Sequence, residues 1–274
     1  VRIEGLLRTC KKVPPELCLP REREHAMKGI GLDIGSRTVK LVVCENGDIA
    51  VSRKEVNTHD PLTLCRQMLS GLDGNRIIAT GYGRHLLKCY VPCEAVSEIK
   101  AFARGANTLR KTCRTVLDIG GQDTKAISLD DGGRIVKFHM NDKCAAGTGR
   151  FLEVMATALG LSLADFIDAA RSAERAETIN SMCTVFAESE VISMIARGSS
   201  RSGIALGIHQ SVARRAVSLL EKVSIREEVL FAGGVALNPC MRRQIEEYLG
   251  RHVIVPEDPQ IVGALGCALI ASEA

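Results

Sequence analysis

Two short segments of this 274-residue chain combine an aspartate, a glycine-containing turn and a lysine at the same spacing. Residues 33–40 (Asp-Ile-Gly-Ser-Arg-Thr-Val-Lys) recur 85 residues later as residues 118–125 (Asp-Ile-Gly-Gly-Gln-Asp-Thr-Lys). A turn glycine lets backbone N–H groups approach an anion closely, and an aspartate at the end of a strand can orient a metal ion directly or through water. The repeat therefore predicts an anion and metal site that is shared by two related, facing halves of the chain.

A third glycine-rich segment, residues 230–236 (Leu-Phe-Ala-Gly-Gly-Val-Ala), ends a strand and is followed by Asn238 and a helix. The paired Gly233 and Gly234 would let a flat ligand lie against the backbone. One such segment is usually structural, but two hairpins and this third segment together form a stronger pattern. Neither GxxxxGK[ST] nor GxGxxG occurs in the chain, which disfavours a P-loop or a dinucleotide Rossmann site.

The chain also contains 11 cysteines, an odd number that favours thiols or metal ligands over disulfides. Cys144 and Cys183 each precede a predicted helix, where the helix dipole and free N–H groups would stabilise a thiolate. Cys144 also follows Lys143 and precedes a glycine-rich helix start, so core packing explains it poorly. The cysteines in apolar surroundings are expected in the core: Cys44, Cys65, Cys113, Cys240 and Cys267. Some cysteines stay unassigned, including one pair with zinc-like spacing but no second pair: Cys10, Cys18, Cys89 and Cys93.

Short β-rich segments alternate with helical periodicity after Met27, which predicts an α/β fold. The predicted strands are 30–34, 38–44, 76–80, 115–119, 124–129, 135–140, 229–232 and 253–255. The predicted helices are 60–70, 93–110, 145–159, 162–173, 184–197, 203–223, 238–249 and 259–272. Residues 1–27 lack sustained periodicity and contain three prolines, so they are interpreted as an N-terminal extension.

Charge and hydropathy exclude several classes of partner. The chain has 36 Lys and Arg against 32 Asp and Glu, and most of the net charge of +4 lies in residues 1–28. The nearly neutral remainder offers no basic stripe for nucleic acid. The longest apolar runs fall well short of the roughly 18 residues that span a bilayer, and no leader pattern is found. We expect a soluble, cytoplasmic protein without nucleic-acid or membrane partners.

With its three glycine-rich segments in this order, the chain resembles the actin, Hsp70 and sugar-kinase superfamily. Residues 141–153 (Asn-Asp-Lys-Cys-Ala-Ala-Gly-Thr-Gly-Arg-Phe-Leu-Glu) and 183–193 (Cys-Thr-Val-Phe-Ala-Glu-Ser-Glu-Val-Ile-Ser) narrow the match. They are similar to the signatures of the ATP-dependent activators of 2-hydroxyacyl-CoA dehydratases, which the ATPase subunits of benzoyl-CoA reductase share. Residues 81–84 and 259–266 fit the same family, so the resemblance runs from about Lys28 to the C-terminus.

The resemblance implies an actin-like, ribonuclease-H-like α/β ATPase with two facing duplicated domains and a nucleotide cleft. Residues 28–114 with the C-terminal helix 257–274 would form subdomain I, and residues 115–256 would form subdomain II with the cluster cysteines.

The resemblance also assigns roles in binding Mg-ATP. Asp33 and Asp118 would hold Mg²⁺ and its waters, and Gln122 or Asp123 would orient the attacking water. Residues of the two hairpins would cradle the phosphates: Ser36, Arg37, Thr38, Val39, Lys40, Gly120 and Gly121. Residues of the third segment and beyond would contact the nucleoside: Gly233, Gly234, Asn238 and Gln260. Arg37 stands where a small hydroxyl residue is expected, and a helix N-cap is an equal alternative for Asn238.

Two cysteines cannot complete a four-thiolate cluster. The simplest arrangement, which the resemblance also implies, is a homodimer in which Cys144 and Cys183 of each subunit hold one shared [4Fe–4S] cluster. The implied activity couples ATP hydrolysis to low-potential transfer of one electron, from ferredoxin or flavodoxin to a 2-hydroxyacyl-CoA dehydratase or a related iron–sulfur acceptor. The alternatives are a benzoyl-CoA reductase ATPase subunit, a sugar or acyl-phosphate kinase, and a nucleotide-dependent module without catalysis.

Overall fold

Each half of the chain builds the same unit, an antiparallel hairpin whose first strand also pairs with a later parallel strand. The computed structural model describes residues 28–72, 76–181 and 183–273, so the predicted extension 1–27 lies outside the described residues. In the first sheet, the order β3-β2-β1-β4-β5 places β1 between its hairpin partner and the parallel β4. Its strands are β1 (Lys28–Ile34), β2 (Thr38–Glu45), β3 (Asp48–Val56), β4 (Arg76–Thr80) and β5 (Glu94–Ala95).

The second sheet repeats this plan with the order β8-β7-β6-β9, in which β6 pairs with β7 in antiparallel and with β9 in parallel. Its strands are β6 (Thr115–Ile119), β7 (Thr124–Leu129), β8 (Ile135–Asn141) and β9 (Val229–Ala232). In both hairpins the aspartate lies directly opposite the lysine, Asp33 opposite Lys40 and Asp118 opposite Lys125. The sequence repeat is thus also a repeat of strand register.

The helices lie between and beside the two sheets. They are α1 (Pro61–Leu69), α2 (Arg84–Tyr90), α3 (Glu98–Leu109), α4 (Gly149–Ala158), α5 (Leu163–Ser172), α6 (Thr184–Ala196), α7 (Arg201–Glu221), α8 (Pro239–Leu249) and α9 (Val262–Ser272). The hydroxyl of Ser97 accepts a hydrogen bond from the Lys100 N–H, so a side-chain cap starts α3 immediately before Glu98.

The helix α3 joins the two halves. On one side it packs against α9, which itself covers β1, and on the other side it contacts β6, β7 and β8. Phe102 belongs to a core cluster with Val116 and Ile127 of the second sheet, whereas Ala101 packs with Ile78 of the first sheet. A larger core lies between the second sheet and α4–α8. As a result, the N-terminus of α3 lies between the sheets.

Several predicted boundaries were wrong. The strand β3 was missed because all but one of its residues are exposed, and an edge strand of this kind has no hydrophobic alternation. The helix α2 and the short β5 were also missed, and the helix predicted at 93–110 begins at Glu98. Residues 253–255 form no strand, because only Ile254 makes an isolated bridge, to Leu230. The helix predicted at 145–159 begins at Gly149, which lengthens the segment after Cys144.

The prediction of five core cysteines is confirmed, because Cys44, Cys65, Cys113, Cys240 and Cys267 are all buried. Among the described residues, no helix is long and apolar enough to cross a membrane.

Candidate functional site

A cleft of about 410 Å³ lies where the turns of the two hairpins face each other. We call residues 33–40 hairpin 1 and residues 118–125 hairpin 2. Most of the residues predicted for the nucleotide site line this cleft: Asp33, Ser36, Arg37, Thr38, Lys40, Asp118, Gly120, Gly121, Gly233, Gly234, Asn238 and Gln260. Two do not, because the side chain of Val39 is fully buried in the core of the first sheet and Gln122 is exposed at the tip of hairpin 2.

Hairpin 1 carries a simple ion pair. The Lys40 Nζ lies 3.1 Å from the Asp33 Oδ2, and the two side chains are 12% and 7% exposed. Direct opposition of the two residues in the β1–β2 ladder positions this pair. The backbone of the turn is closed by a hydrogen bond from the Gly35 N–H to the Thr38 carbonyl (3.1 Å).

Hairpin 2 carries a larger charge cluster. The buried Lys125 Nζ lies 2.9 Å from the Asp118 Oδ2, 2.7 Å from the Asp123 Oδ2 and 2.7 Å from the Glu98 Oε2. It also lies 5.3 Å from the centre of the Phe102 ring. Burial alone would lower the pKa of Lys125, but the three carboxylates raise it well above the usual value, so the lysine stays charged. Three carboxylates around one ammonium leave an excess of negative charge in the cleft.

The carboxylate of Asp118 has spare capacity for a cation. Its Oδ2 is bonded to Lys125, whereas its Oδ1 is buried and has no hydrogen-bond partner among the described residues. Burial raises the pKa of Asp118 above its ordinary value. An unpaired buried acceptor costs about 1–3 kcal/mol, and Mg²⁺ prefers oxygen ligands. Asp118 and the nearby negative charge therefore fit a divalent cation that accompanies a phosphate ligand.

Glu98 is a cleft residue that the repeat did not indicate. It is the first residue of α3 and reaches Lys125 across the gap between the two halves. Burial raises the pKa of Glu98 to about 7, and the charge of Lys125 partly offsets that effect. The one sequence signal for it, a serine immediately before an acidic helix start, was hidden because the helix was predicted to begin at residue 93.

Gly233 occupies a position that only glycine tolerates well. Its φ is +87°, and an added Cβ would lie against the Ile119 carbonyl and the Asp118 Oδ1. Gly81, with φ +85°, follows β4 in the first half and lies in the same way against Ile34 and Asp33. These two glycines extend the internal repeat beyond the hairpins. Each brings a backbone turn against the aspartate of its own half.

One wall of the cleft is apolar. Its side chains come from α4, α5 and the 3₁₀ turn after β9: Leu152, Leu163, Ile167, Val235 and Leu237. Next to this wall, the Asn238 Oδ1 accepts hydrogen bonds from the N–H groups of Cys240 and Met241 and so caps α8. The Asn238 Nδ2 donates to the Nε2 of His209 (3.0 Å). Burial lowers the pKa of His209 to about 4, which keeps the ring neutral. Asn238 thus acts as the helix cap that was the alternative prediction.

Arg37 crosses the cleft. Its Nε and Nη2 lie 3.1 and 3.0 Å from the Oε1 of Glu153, which belongs to α4 in the other half. Arg150 also approaches Glu153, at 3.3 Å. Since Arg37 is 55% exposed, this pair contributes little to stability, but it places a cation at the mouth of the cleft.

Hairpin 2 is bonded directly to residues 147–150, which closely follow Cys144. We call residues 144–150 the Cys144 segment. The N–H groups of Gly149 and Arg150, in the first turn of α4, donate to the carbonyls of Gly120 (2.9 Å) and Gly121 (2.8 Å). The hydroxyl of Thr124 donates to the Gly147 carbonyl (2.8 Å). Any ligand that moves the turn of hairpin 2 therefore acts on both ends of residues 147–150.

Cys144 and Cys183 both carry exposed free thiols. Cys183 is the N-cap of α6, as expected, but Cys144 is four residues before Thr148, the N-cap of α4. The prediction that Cys144 stands at a helix N-terminus is therefore wrong. The helices α4 and α6 pack together. Among the described residues, no group of three or more His, Cys, Asp or Glu side chains could hold a metal by itself. Two exposed thiols fit a cluster completed by a second chain.

Comparisons with known proteins agree with this geometry. The model of the BadF/BadG/BcrA/BcrD ATPase family matches residues 30–271. The activator of lactoyl-CoA dehydratase from Anaerotignum propionicum is 44% identical over 257 residues, which cover 90% of this chain and 98% of that protein.

Two solved structures match over 90% of the chain. The activator of the 2-hydroxyisocaproyl-CoA dehydratase from Clostridium difficile with bound ADPNP has a TM-score of 0.82 and 39% identity, and 94% of that chain is covered. Component A of (R)-2-hydroxyglutaryl-CoA dehydratase from Acidaminococcus fermentans has a TM-score of 0.83 and 38% identity, with 98% covered. The predicted actin-like α/β fold is confirmed.

Proposed function

The chain belongs to the BadF/BadG/BcrA/BcrD ATPase family, and from that premise we propose that it is an ATP-dependent iron–sulfur activator. It hydrolyses ATP in the cleft and delivers one electron at low potential to a 2-hydroxyacyl-CoA dehydratase-type partner. The observation that carries this proposal is the direct bonding of hairpin 2, at the phosphate side of the cleft, to the segment of Cys144.

The cleft residues divide the work of nucleotide binding. The apolar wall from Leu152 to Leu237 suits the adenine ring, and Gly233 and Gly234 let the nucleoside approach the backbone. The backbone N–H groups of the two hairpin turns, together with Lys40 and Arg37, suit the phosphates. Mg²⁺ would be held by Asp118 and Asp33, and when bound it neutralises charge that develops on the phosphates.

Glu98 suits the task of accepting a proton from the attacking water. A base works best when its pKa lies near the working pH, and burial brings the pKa of Glu98 to about 7. Lys125 fixes the direction of its carboxylate. Asp123, which is paired with the same lysine, helps to fix the position of the Lys125 ammonium beside Glu98. Gln122 and Asp123 were the two residues predicted for the water. Gln122 is exposed and outside the cleft lining, whereas Asp123 lines the cleft. We propose Glu98 for that role because its pKa is about 7.

The iron site is formed by Cys144 and Cys183 of each chain in a homodimer. A shared [4Fe–4S] cluster supplies one-electron chemistry when bound. The N-terminal N–H groups of α6 favour a thiolate at Cys183. The exposed Val185 and Phe186, each 68% exposed, extend an apolar surface beside that thiol that suits contact with a second chain.

Coupling between the two sites follows from the bonds of hairpin 2. When the cleft closes on ATP and reopens after hydrolysis, the turn at Gly120 and Gly121 moves with the phosphates, and the first turn of α4 moves with it. Arg37 adds a second link, because a phosphate competes with Glu153 of α4 for its guanidinium. Both links change the position of the Cys144 segment relative to Cys183.

The remaining assignments follow the same proposal. Ferredoxin or flavodoxin supplies the electron, the protein acts in the cytoplasm, and neither nucleic acid nor a membrane takes part. Residues 28–114 with 257–274 form one subdomain and residues 115–256 the other. A benzoyl-CoA reductase-type enzyme is the alternative acceptor.

The test combines iron content, mass and ATP turnover. Protein purified without oxygen should be brown, should be dimeric by light scattering, and should contain about four iron atoms per dimer. Cys144→Ser and Cys183→Ser should each bleach it, whereas Cys89→Ser, which changes another exposed thiol, should not. A colourless monomer that hydrolyses ATP only with a sugar or a carboxylic acid present would overturn the proposal in favour of a kinase.

A further inference from the structure

The two cysteines differ in the positive charge that surrounds them. Cys183 lies at the positive end of α6, but Cys144 has no helix N-terminus beside it. An anionic thiolate and an anionic cluster both need compensation when they are partly shielded from water. The source of that compensation at Cys144 therefore has to be another group.

Arg215 is in position to supply it. Cys144 and Arg215 line the same cavity of about 520 Å³, and no Asp or Glu is among the residues that line it. Two further cations, Arg214 and Lys222, also line the cavity. Arg215 belongs to the long helix α7, so its backbone is fixed by the core rather than by a surface loop. Gly147, three residues after Cys144, lies against Arg215, because a Cβ at that position would be 3.6 Å from the Arg215 Cδ.

The guanidinium of Arg215 is held between the two cysteine segments. Its Nη2 donates to the carbonyl of Ser181, two residues before Cys183, at 3.3 Å. Its carbon centre lies 5.5 Å from the ring centre of Phe151, which is fully buried in α4. The neighbouring segment before α6 is itself fixed, because the Glu190 carboxylate accepts hydrogen bonds from the N–H groups of Asn180 and Ser181.

One donor of Arg215 is unused. The Nη1 is buried and has no hydrogen-bond partner among the residues that the structure describes. A buried guanidinium nitrogen without an acceptor is costly, and such groups in native proteins usually serve a ligand or an ion. In a cavity whose lining includes the Cys144 thiol and lacks carboxylates, the expected acceptor is anionic.

We propose that Arg215 is a positioning residue for the iron site: it holds the Cys144 and Cys183 segments together and provides the fixed positive charge at Cys144. The inference rests on the proposed function, since it requires a cluster at these cysteines. A nearby cation favours the reduced, more negative state of a cluster, so Arg215 raises the midpoint potential and makes the cluster easier to reduce.

The neighbouring Arg214 is a matched control. It lies on the same helix, has the same formal charge and also lines the cavity. Its guanidinium, however, is directed to Tyr248, with the Nη1 3.0 Å from the hydroxyl and the carbon 5.6 Å from the ring centre. Its loss changes the net charge of the protein by the same amount. An effect that is specific to Arg215 therefore cannot come from net charge.

The experiment measures iron content, the rate of iron extraction by a ferrous chelator, and the midpoint potential by an EPR-monitored titration. Wild type, Arg215→Gln, Arg215→Lys and Arg214→Gln are compared in buffers without nucleotide. We expect Arg215→Gln to lower the midpoint potential by about 59 mV or more, which is a tenfold change in the reduction equilibrium, and to speed extraction. Arg215→Lys should recover most of the potential, and Arg214→Gln should change it much less than Arg215→Gln does.

The outcomes separate the two proposals. Wild-type protein without iron contradicts the proposed function, whereas iron-loaded wild type with an unchanged potential in Arg215→Gln overturns only the role of Arg215. If Arg215→Gln cannot hold iron, retention of iron by Arg215→Lys supports the charge role. Equal loss of iron from both variants, at unchanged melting temperature, contradicts it. The melting temperature of each iron-free variant distinguishes a folding defect from an effect at the iron site.

Discussion

Hairpin 1 and hairpin 2 are copies of one structure with different electrostatics. Both place an aspartate opposite a lysine in the same register. In hairpin 1 the lysine has one carboxylate partner and the pair is partly exposed, whereas Lys125 of hairpin 2 has three and is 1% exposed. The turn carbonyls of hairpin 2 also accept hydrogen bonds from the first N–H groups of α4, the helix that follows the candidate iron ligand Cys144.

The difference shows how two copies of one fold can acquire different roles. Either turn can hold phosphates, because that property depends on backbone N–H groups and is preserved in both copies. The charge cluster depends on Glu98 from α3, and the link to Cys144 depends on α4, so both come from elements outside the repeat. We therefore expect hairpin 2 both to take part in ATP hydrolysis and to transmit the nucleotide state to the Cys144 segment. Hairpin 1 should mainly bind the phosphates.

The largest expected difference concerns stability. Lys125→Met removes the cation that three packed carboxylates share and should lower the free energy of unfolding by about 3–5 kcal/mol. Lys40→Met leaves one buried carboxylate, that of Asp33, without its cation and should cost about 1.5 kcal/mol. Urea denaturation of the two variants at neutral pH measures both values. Equal losses would show that the two hairpins are electrostatically equivalent.

A second comparison concerns ATP turnover. Asp118→Asn should reduce turnover by about 100-fold or more, since the unpaired Oδ1 is the cleft atom best suited to the cation. Its stability should be unchanged or higher, because a neutral amide relieves the excess of negative charge around Lys125. Asp33→Asn should lose less activity, about tenfold. A larger loss in Asp33→Asn than in Asp118→Asn would reverse the assignment of the two hairpins.

Glu98 makes the cluster of hairpin 2 sensitive to pH. Its pKa in the folded protein is about 7, above the ordinary value of 4.5, so its favourable contribution is complete below pH 4.5 and is lost as the pH rises through 7. The charged groups that act on it are Lys125, Asp123 and Asp33. Glu98→Gln cannot ionise there, so its stability relative to wild type should increase between pH 5 and pH 8.

Denaturation curves of wild type and Glu98→Gln at several pH values provide that comparison. Glu94→Gln, which changes an exposed glutamate paired only with Arg76, is the control. A pH-independent difference between wild type and Glu98→Gln would mean that Glu98 titrates as an ordinary exposed carboxylate.

The smallest effect is expected at the contact between the halves. Arg37→Gln and Glu153→Gln should each change stability by less than about 1 kcal/mol, because the pair is exposed. Their effects on ATP affinity should have opposite signs. Arg37→Gln removes a phosphate partner and weakens binding, whereas Glu153→Gln frees Arg37 and strengthens it. Calorimetric titration with a nonhydrolysable ATP analogue tests this, and changes of the same sign would contradict competition for Arg37.

The parts of the site that sequence patterns predicted are those made within single segments. Both hairpins, Gly233 and the two exposed thiols were found in this way. Successive side chains of β2 point to opposite faces of the sheet. Val39 faces the core because it lies between Thr38 and Lys40, which line the cleft.

The missed features all join segments that are distant in the chain. Glu98 meets Lys125 because α3 docks on both sheets, and Arg37 meets Glu153 across 116 residues of sequence. Arg215 reaches the cysteine segments only because α7 packs behind α4. Such contacts depend on tertiary packing, which periodicity and motif spacing do not predict.

If the proposed coupling is right, hairpin 2 transmits the nucleotide state to the Cys144 segment. The test is the rate at which a ferrous chelator extracts iron from protein of one anaerobic preparation. One half of the preparation is saturated with ADP and the other half with a nonhydrolysable ATP analogue. The bonds from Gly120 and Gly121 to α4 predict rates that differ by about fivefold or more. Equal rates with both nucleotides fully bound would contradict the claim.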